Sequence, residues 1–129
     1  MVLDSKAVAA MLLGAAERLE ENADRLSEID SRFGDGDHGI TMCKIARLIK
    51  EQIPQWGERS VRTFLDDLGM AVMEVKGGSA GPLYGALIGG LGVKLAEDEN
   101  APDADAVRRM FAGALEELAQ KLLRNGSAD

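Results

Sequence analysis

Apolar residues recur at intervals of three and four along most of this chain, with charged residues on the opposite side of each repeat. The repeats cover Asp4 to about Ser27, Gly39 or Ile40 to Ile53, a segment after Ser60, Leu83 to Ala96, and a segment after Asp103 or Asp105. Aromatic residues make up only 4% of the 129 residues, and there are 15 glycines. This composition favours closely packed helices over an aromatic-rich β-sandwich. We expect one all-α domain over residues 1–129, an antiparallel bundle of amphipathic helices.

Two local signals refine the helix prediction. Ser60 is a typical N-cap residue, and Pro82 suits the first turn of a helix. That helix carries Gly85, Gly89, Gly90 and Gly92 between its leucines. Each glycine destabilises a helix by up to about 1 kcal/mol relative to alanine. We therefore expect that close approach to a neighbouring backbone or a ligand offsets this loss of helix stability.

Charge and cysteine content limit the classes of partner. The formal charge of −7 and the pI near 4.7 argue against a duplex nucleic-acid partner, because such partners require clustered Lys and Arg. The uncharged run 77–93 is shorter than the ~20 apolar residues of a membrane span, so no membrane partner is predicted. Cys43 is the only cysteine, which leaves no disulfide framework and favours the cytoplasm.

Three carboxylates and three glycines are concentrated between the first two predicted helices. The carboxylates belong to Asp30, Asp35 and Asp37, and the glycines are Gly34, Gly36 and Gly39. Carboxylates held together repel one another unless a cation intervenes. Oxygen ligands favour magnesium, manganese or calcium over zinc or copper. One such aspartate would more simply be a turn or N-cap residue, but three together favour a metal site.

Two segments are suited to bind an anion. His38, Gly39, Ile40 and Thr41 lie where the second helix begins, and the free amides of a helix N-terminus favour phosphate. The turn Gly77, Gly78, Ser79 and Ala80 can expose consecutive backbone amides before the helix that contains Pro82. Taken alone, this turn would be an ordinary glycine-rich connection.

Together the two motifs resemble the nucleotide-binding L domain (DhaL) of dihydroxyacetone kinases. The resemblance rests on the run Asp30 to Gly39, DSRFGDGDHG, and on Gly77 to Gly85, GGSAGPLYG. It extends over essentially the whole chain, including Gly69-Met70 and Met110-Phe111.

The resemblance implies a helical barrel with a nucleotide at one end. It implies that Asp30, Asp35 and Asp37 hold two magnesium ions that bridge the phosphates of ADP or ATP. The segments His38 to Thr41 and Gly78 to Ala80 would contact those phosphates. A separate DhaK-like subunit would bind the triose acceptor, and a DhaM-like phosphoprotein is a possible phosphoryl donor. No residue of the chain is predicted to act as a catalytic nucleophile.

The chain departs from the family pattern in two ways. Members often have serine where this chain has Ala80, and asparagine where it has Thr41. The family domain also continues past the end of this chain, so the resemblance is to its N-terminal half. A homo-oligomer, or a partner chain that completes the barrel, is therefore expected.

Two other functions stay open at the level of sequence. The scaffold could serve as a noncatalytic module for assembly or regulation, with an exposed apolar flank that drives association. The weaker alternative is a simple helical bundle with a solvated acidic loop.

Overall fold

The computed structural model describes residues 4–31, 38–77, 80–99 and 103–127, without the side chains of Asp30, His38 and residues 124–127. Within these residues there are six α-helices, one short 3₁₀ helix at Ile53–Gln55 and no strand. The α-helices are α1 (Ser5–Glu21), α2 (Ala23–Asp30), α3 (His38–Gln52), α4 (Val61–Met73), α5 (Ala80–Val93) and α6 (Ala104–Ser127). The all-α prediction is confirmed.

The helices pack as an antiparallel bundle around one apolar core. α3 packs on α1 and α2, whereas α4 packs mainly on α5, and α5 on α6. Arg62 near the start of α4 donates from Nη1 to Leu95 O, 2.8 Å away, just beyond the end of α5. The largest fully buried side chains are those of Phe64, Met42, Ile45, Leu65, Leu68, Leu95, Val61 and Val72. α4 and α5 therefore run in opposite directions, and the start of α3, the end of α4 and the start of α5 meet at one end.

The first predicted helix is in fact two. Asn22 separates α1 from α2, with φ −104° and ψ 8°, outside the helical region. Its side-chain amide donates to Arg18 O at 2.8 Å, and its backbone N–H donates to the same oxygen at 3.1 Å. Asparagine competes with helical hydrogen bonding in this way. An uninterrupted helix from Asp4 to Ser27 was therefore the wrong prediction.

The N-cap predicted from the sequence is confirmed at the start of α4. Ser60 caps α4 by accepting from Thr63 N at 3.0 Å. Trp56 is 8% exposed and stacks on Phe64 with ring centroids 3.9 Å apart, so it covers the core. Its indole N–H donates to Arg59 O at 2.8 Å. The apolar face of the Trp56 ring is thus packed against Phe64, and its polar N–H group is hydrogen-bonded.

The glycines of α5 allow close backbone approach on two sides. A Cβ added at Gly69 of α4 would lie 2.7 Å from Gly89 N and 2.8 Å from Gly85 O of α5. A Cβ added at Gly90 would lie 2.7 Å from Gly113 O of α6. The loss of helix stability at these glycines is therefore offset by close packing between helices. The same small residues let α5 lie between α4 and α6.

A polar cluster joins the start of α4 to the segment after α5. Ser60 Oγ donates to Glu97 Oε1 at 2.6 Å, and Thr63 Oγ1 donates to the same oxygen. These hydrogen bonds lower the pKa of Glu97 below its ordinary value. Nearby, Glu99 accepts a bidentate ion pair from Arg109 of α6, with distances of 2.6 and 3.1 Å. This end of the bundle is thus fixed by side-chain hydrogen bonds, opposite the end where α3 and α5 begin.

No helix within the described ranges is long and apolar enough to cross a membrane.

Candidate functional site

The aspartate and glycine stretch connects α2 to α3. Asp30 is the last residue of α2, and His38 is the first residue of α3. The side chains of both, together with Asp35 and Asp37, lie outside the described residues. The metal-ligand prediction for Asp30, Asp35 and Asp37 therefore stays a prediction, as does the role of His38. Their chemistry fits magnesium, because carboxylate oxygens are ligands that this ion prefers.

The first turn of α3 lies directly against α2. The N–H of Gly39 donates to Ser27 Oγ at 2.9 Å. A Cβ at Gly39 would collide with the carbonyl oxygen of Ala23 and with Ser27 Oγ. Only glycine fits at this position, so the start of α3 is held against the first half of α2. The amide of Gly39 already has a protein acceptor, whereas the side chain of Ile40 is 60% exposed.

Thr41 brings the two predicted phosphate-binding segments together. Its side chain is 2% exposed, and Oγ1 donates to Gly77 O at 3.5 Å. Gly77 has φ +142°, and a Cβ at this position would collide with Thr41 Oγ1 and lie 3.0 Å from Thr41 Cγ2. The segment that ends in Thr41 and the turn that begins at Gly77 therefore form one contact, as their pairing in the sequence suggested.

The second segment passes directly into α5. Gly78 and Ser79 lie outside the described residues. Ala80 is the first residue of α5 and is 6% exposed. A Cβ at Gly81 would lie 2.5 Å from Val75 O and 3.0 Å from Val72 O, so the first turn of α5 rests on the end of α4. The starts of α3 and α5 consequently lie at the same end of the bundle, which is where free helical amides can meet an anion.

Sequence reasoning missed two residues at this end. Ser27 holds the first turn of α3, as described above. Lys44 extends its Nζ to within 3.4 Å of Lys76 O, one residue before Gly77. The sequence signal was available for Lys44, because it lies three positions after Thr41 on a predicted helix and therefore on the same side. The ammonium group of Lys44 adds positive charge beside the turn in a chain with net charge −7.

Within the described residues, the structure is a helical bundle in which the start of α3 and the turn that leads into α5 meet at one end. The family model described as the DAK2 domain matches residues 32–126, and the chain belongs to this family.

Individual relatives agree with this assignment. The ADP-binding subunit DhaL of PEP-dependent dihydroxyacetone kinase 1 from Listeria innocua is 30% identical over 105 residues, which cover 81% of this chain and 52% of the relative. The ADP-binding subunit DhaL of a PTS-dependent dihydroxyacetone kinase from Lactococcus lactis is 36% identical, covering 54% of this chain and 36% of the relative. The D-erythrulose kinase of Mycolicibacterium smegmatis is 32% identical, covering 96% of this chain and 21% of the relative. The chain thus spans about half or less of the length of these relatives.

Proposed function

We propose that this chain binds ADP or ATP together with magnesium, as a component of a dihydroxyacetone-type kinase. Membership of the DAK2 domain family supports a kinase function, and the DhaL relatives are named for ADP binding. The observation that carries the proposal is the contact between Thr41 and Gly77. It places the starts of α3 and α5 side by side, where both can face the same phosphate groups.

The proposed site assigns different tasks to its two kinds of residue. Asp30, Asp35 and Asp37 would hold magnesium, two ions being expected. When bound, magnesium neutralises phosphate charge and polarises the transferred group. His38, Ile40 and Thr41, with the turn Gly77 to Ala80, would contact the phosphates. Gly39 would fix the first turn of α3, because its amide already donates to Ser27.

Phosphoryl transfer needs positioning and charge neutralisation more than a protein nucleophile. The proposal accordingly assigns no covalent intermediate to this chain. A DhaK-like subunit would present the triose, and the donor would be ATP or a DhaM-like phosphoprotein that recharges bound ADP. Residues 1–129 would act as one DhaL-like domain, and a cytoplasmic location stays a prediction from the lone Cys43.

A second candidate function is a noncatalytic assembly module on the same scaffold. An apolar face of α6 favours it, with Phe111 55% exposed, Leu115 63% and Leu122 51%. These residues follow one another at helical spacing, and the neighbouring Tyr84 of α5 is 37% exposed. Such a face suits a second copy of the chain or a partner chain.

Calorimetric titration of ADP, with magnesium and with EDTA, tests the proposed function. We expect binding that requires magnesium and is weakened at least roughly tenfold in the double variant Asp35→Asn, Asp37→Asn, because both changes remove charge at nearly constant shape. Asp66→Asn, at an exposed carboxylate of α4, is the matched control and should bind ADP as the wild type does.

The same samples distinguish the two candidate functions. A folded chain that binds no ADP, but whose mass by light scattering corresponds to an oligomer, would favour the assembly module. Equal ADP affinity in the double variant and the wild type would refute the aspartate assignment.

A further inference from the structure

A groove between α3 and α4 lies outside the proposed nucleotide site. Its volume is about 380 Å³, and its floor is formed by the half-buried side chains of Leu48, Ala71 and Val75. The groove exists because α3 packs on α1 and α2, whereas α4 packs on α5, which leaves α3 and α4 only loosely joined along their outer sides. An apolar floor open to solvent is a surface that a partner can cover.

Three exposed cations surround one end of this groove. Lys44 and Arg47 project from α3, and Lys76 follows α4. Arg47 and Lys76 form no ion pair with any part of the chain that the structure describes. Lys44 Nζ lies 3.4 Å from Lys76 O, so the basic end of the groove adjoins Gly77. The chain has a net charge of −7, so this cluster is a basic patch on an acidic protein.

The remaining rim of the groove carries carboxylates. Glu51 lies one helical turn beyond Arg47, and Glu74 lies two residues before Lys76. An occupant therefore needs acidic groups at the Lys44 and Arg47 end and an apolar group for the floor. A free phosphate has no apolar group that could cover Leu48. Charge repulsion between two acidic copies of this chain makes a second copy the less favourable occupant of this groove. A protein segment satisfies both requirements.

We propose that the α3–α4 groove docks a partner protein through a segment with acidic and apolar side chains. The acidic side chains face Lys44, Arg47 and Lys76, and an apolar side chain covers Leu48, Ala71 and Val75. Because the groove ends at Gly77, docking places the partner next to the turn that leads into α5. Lys44 lies beside both the groove and the turn of the proposed nucleotide site, but Arg47 and the apolar floor are not part of that site. The proposal holds whether or not the chain binds ADP.

Fluorescence anisotropy with labelled helical peptides tests this docking surface. The probe is an amphipathic peptide of Leu and Glu, and the controls replace its Glu with Lys or its Leu with Ser. We expect the Leu and Glu peptide to bind, and Arg47→Glu to weaken binding by roughly fivefold or more, because an attractive charge becomes a repulsive one. Arg108→Glu, an exposed residue on α6, makes the same charge change outside the groove and should leave affinity within about twofold.

Several results would overturn the proposal. If Arg47→Glu and Arg108→Glu weakened peptide binding equally, the effect would come from the overall charge of the chain and not from the groove. Equal binding of the Lys peptide would exclude acidic recognition, and no binding of the Leu and Glu peptide would exclude the surface itself. Displacement of the peptide by ADP would place the groove within the nucleotide site. A dimer that dissociates in Arg47→Glu would identify a second copy of this chain as the occupant.

Discussion

Gly69→Ala is expected to lower the free energy of unfolding by about 2–3 kcal/mol. The added methyl group would lie 2.7 Å from Gly89 N and 2.8 Å from Gly85 O. Both contacts are with backbone atoms of α5, so no side chain can rotate away, and α4 and α5 must separate. Chemical denaturation of the wild type and the variant measures the difference.

Gly14→Ala is the matched control for this substitution. Gly14 lies within α1, and a Cβ there has no neighbouring atom within 4 Å. Alanine should therefore raise the free energy of unfolding by up to about 1 kcal/mol through helix propensity alone. If Gly69→Ala also raised stability, the close approach of α4 and α5 would be wrong.

Gly77→Ala is expected to affect both stability and nucleotide binding. Its φ of +142° is strained for any residue with a Cβ, and the Cβ would meet the side chain of Thr41. We expect a loss of about 1–3 kcal/mol in unfolding free energy. Because the change forces the two proposed phosphate-binding segments apart, we also expect magnesium-dependent ADP affinity to fall by roughly tenfold or more. Denaturation and calorimetry on the same variant measure the two effects.

Gly57→Ala is the control that separates the effect of backbone strain from the effect on the proposed nucleotide site. Gly57 has φ +64°, but a Cβ there would meet only Gln55 O, at 3.9 Å. The substitution should cost roughly 1 kcal/mol of stability and leave ADP affinity unchanged. If Gly77→Ala retained wild-type ADP affinity, contact between the segments would not be needed for binding.

Most of the fold could be predicted from the sequence because the helices obey simple local rules. The apolar spacing identified α3 to α6, and the Ser60 cap lies where the sequence predicted it. The glycines of α5 were correctly interpreted as sites of close approach. Which helices they approach could not be predicted, since the pairing of Gly69 with Gly89, and of Gly90 with Gly113, depends on the three-dimensional arrangement.

The break at Asn22 was not predicted because the apolar repeat continues through it. Ala23 and Leu26 keep the helical spacing on the far side of Asn22, so periodicity alone gives no signal. The interruption comes from a side-chain amide that bonds to Arg18 O. Such competition depends on a single residue, so apolar periodicity averaged over a whole helix does not reveal it.

The site was predictable in part for a similar reason. Residue types indicated which segments are suited to bind phosphate, and the contact between Thr41 and Gly77 agrees with their pairing. The burial of Thr41 and the bond between Ser27 and Gly39 depend on how α2, α3 and α5 pack. The groove beside Lys44 arises because α3 and α4 pack mainly on different helices, which no local sequence pattern encodes.

Amide hydrogen exchange with and without magnesium and ADP tests the central claim that two distant segments form one nucleotide site. Slower exchange is expected in both segments 38–41 and 77–80 when magnesium and ADP are added together, with no change when EDTA replaces magnesium. The Glu97 to Glu99 segment, at the opposite end, is the internal control and should exchange at the same rate throughout. Protection of only one segment, or of neither in a chain that stays folded, would contradict the account.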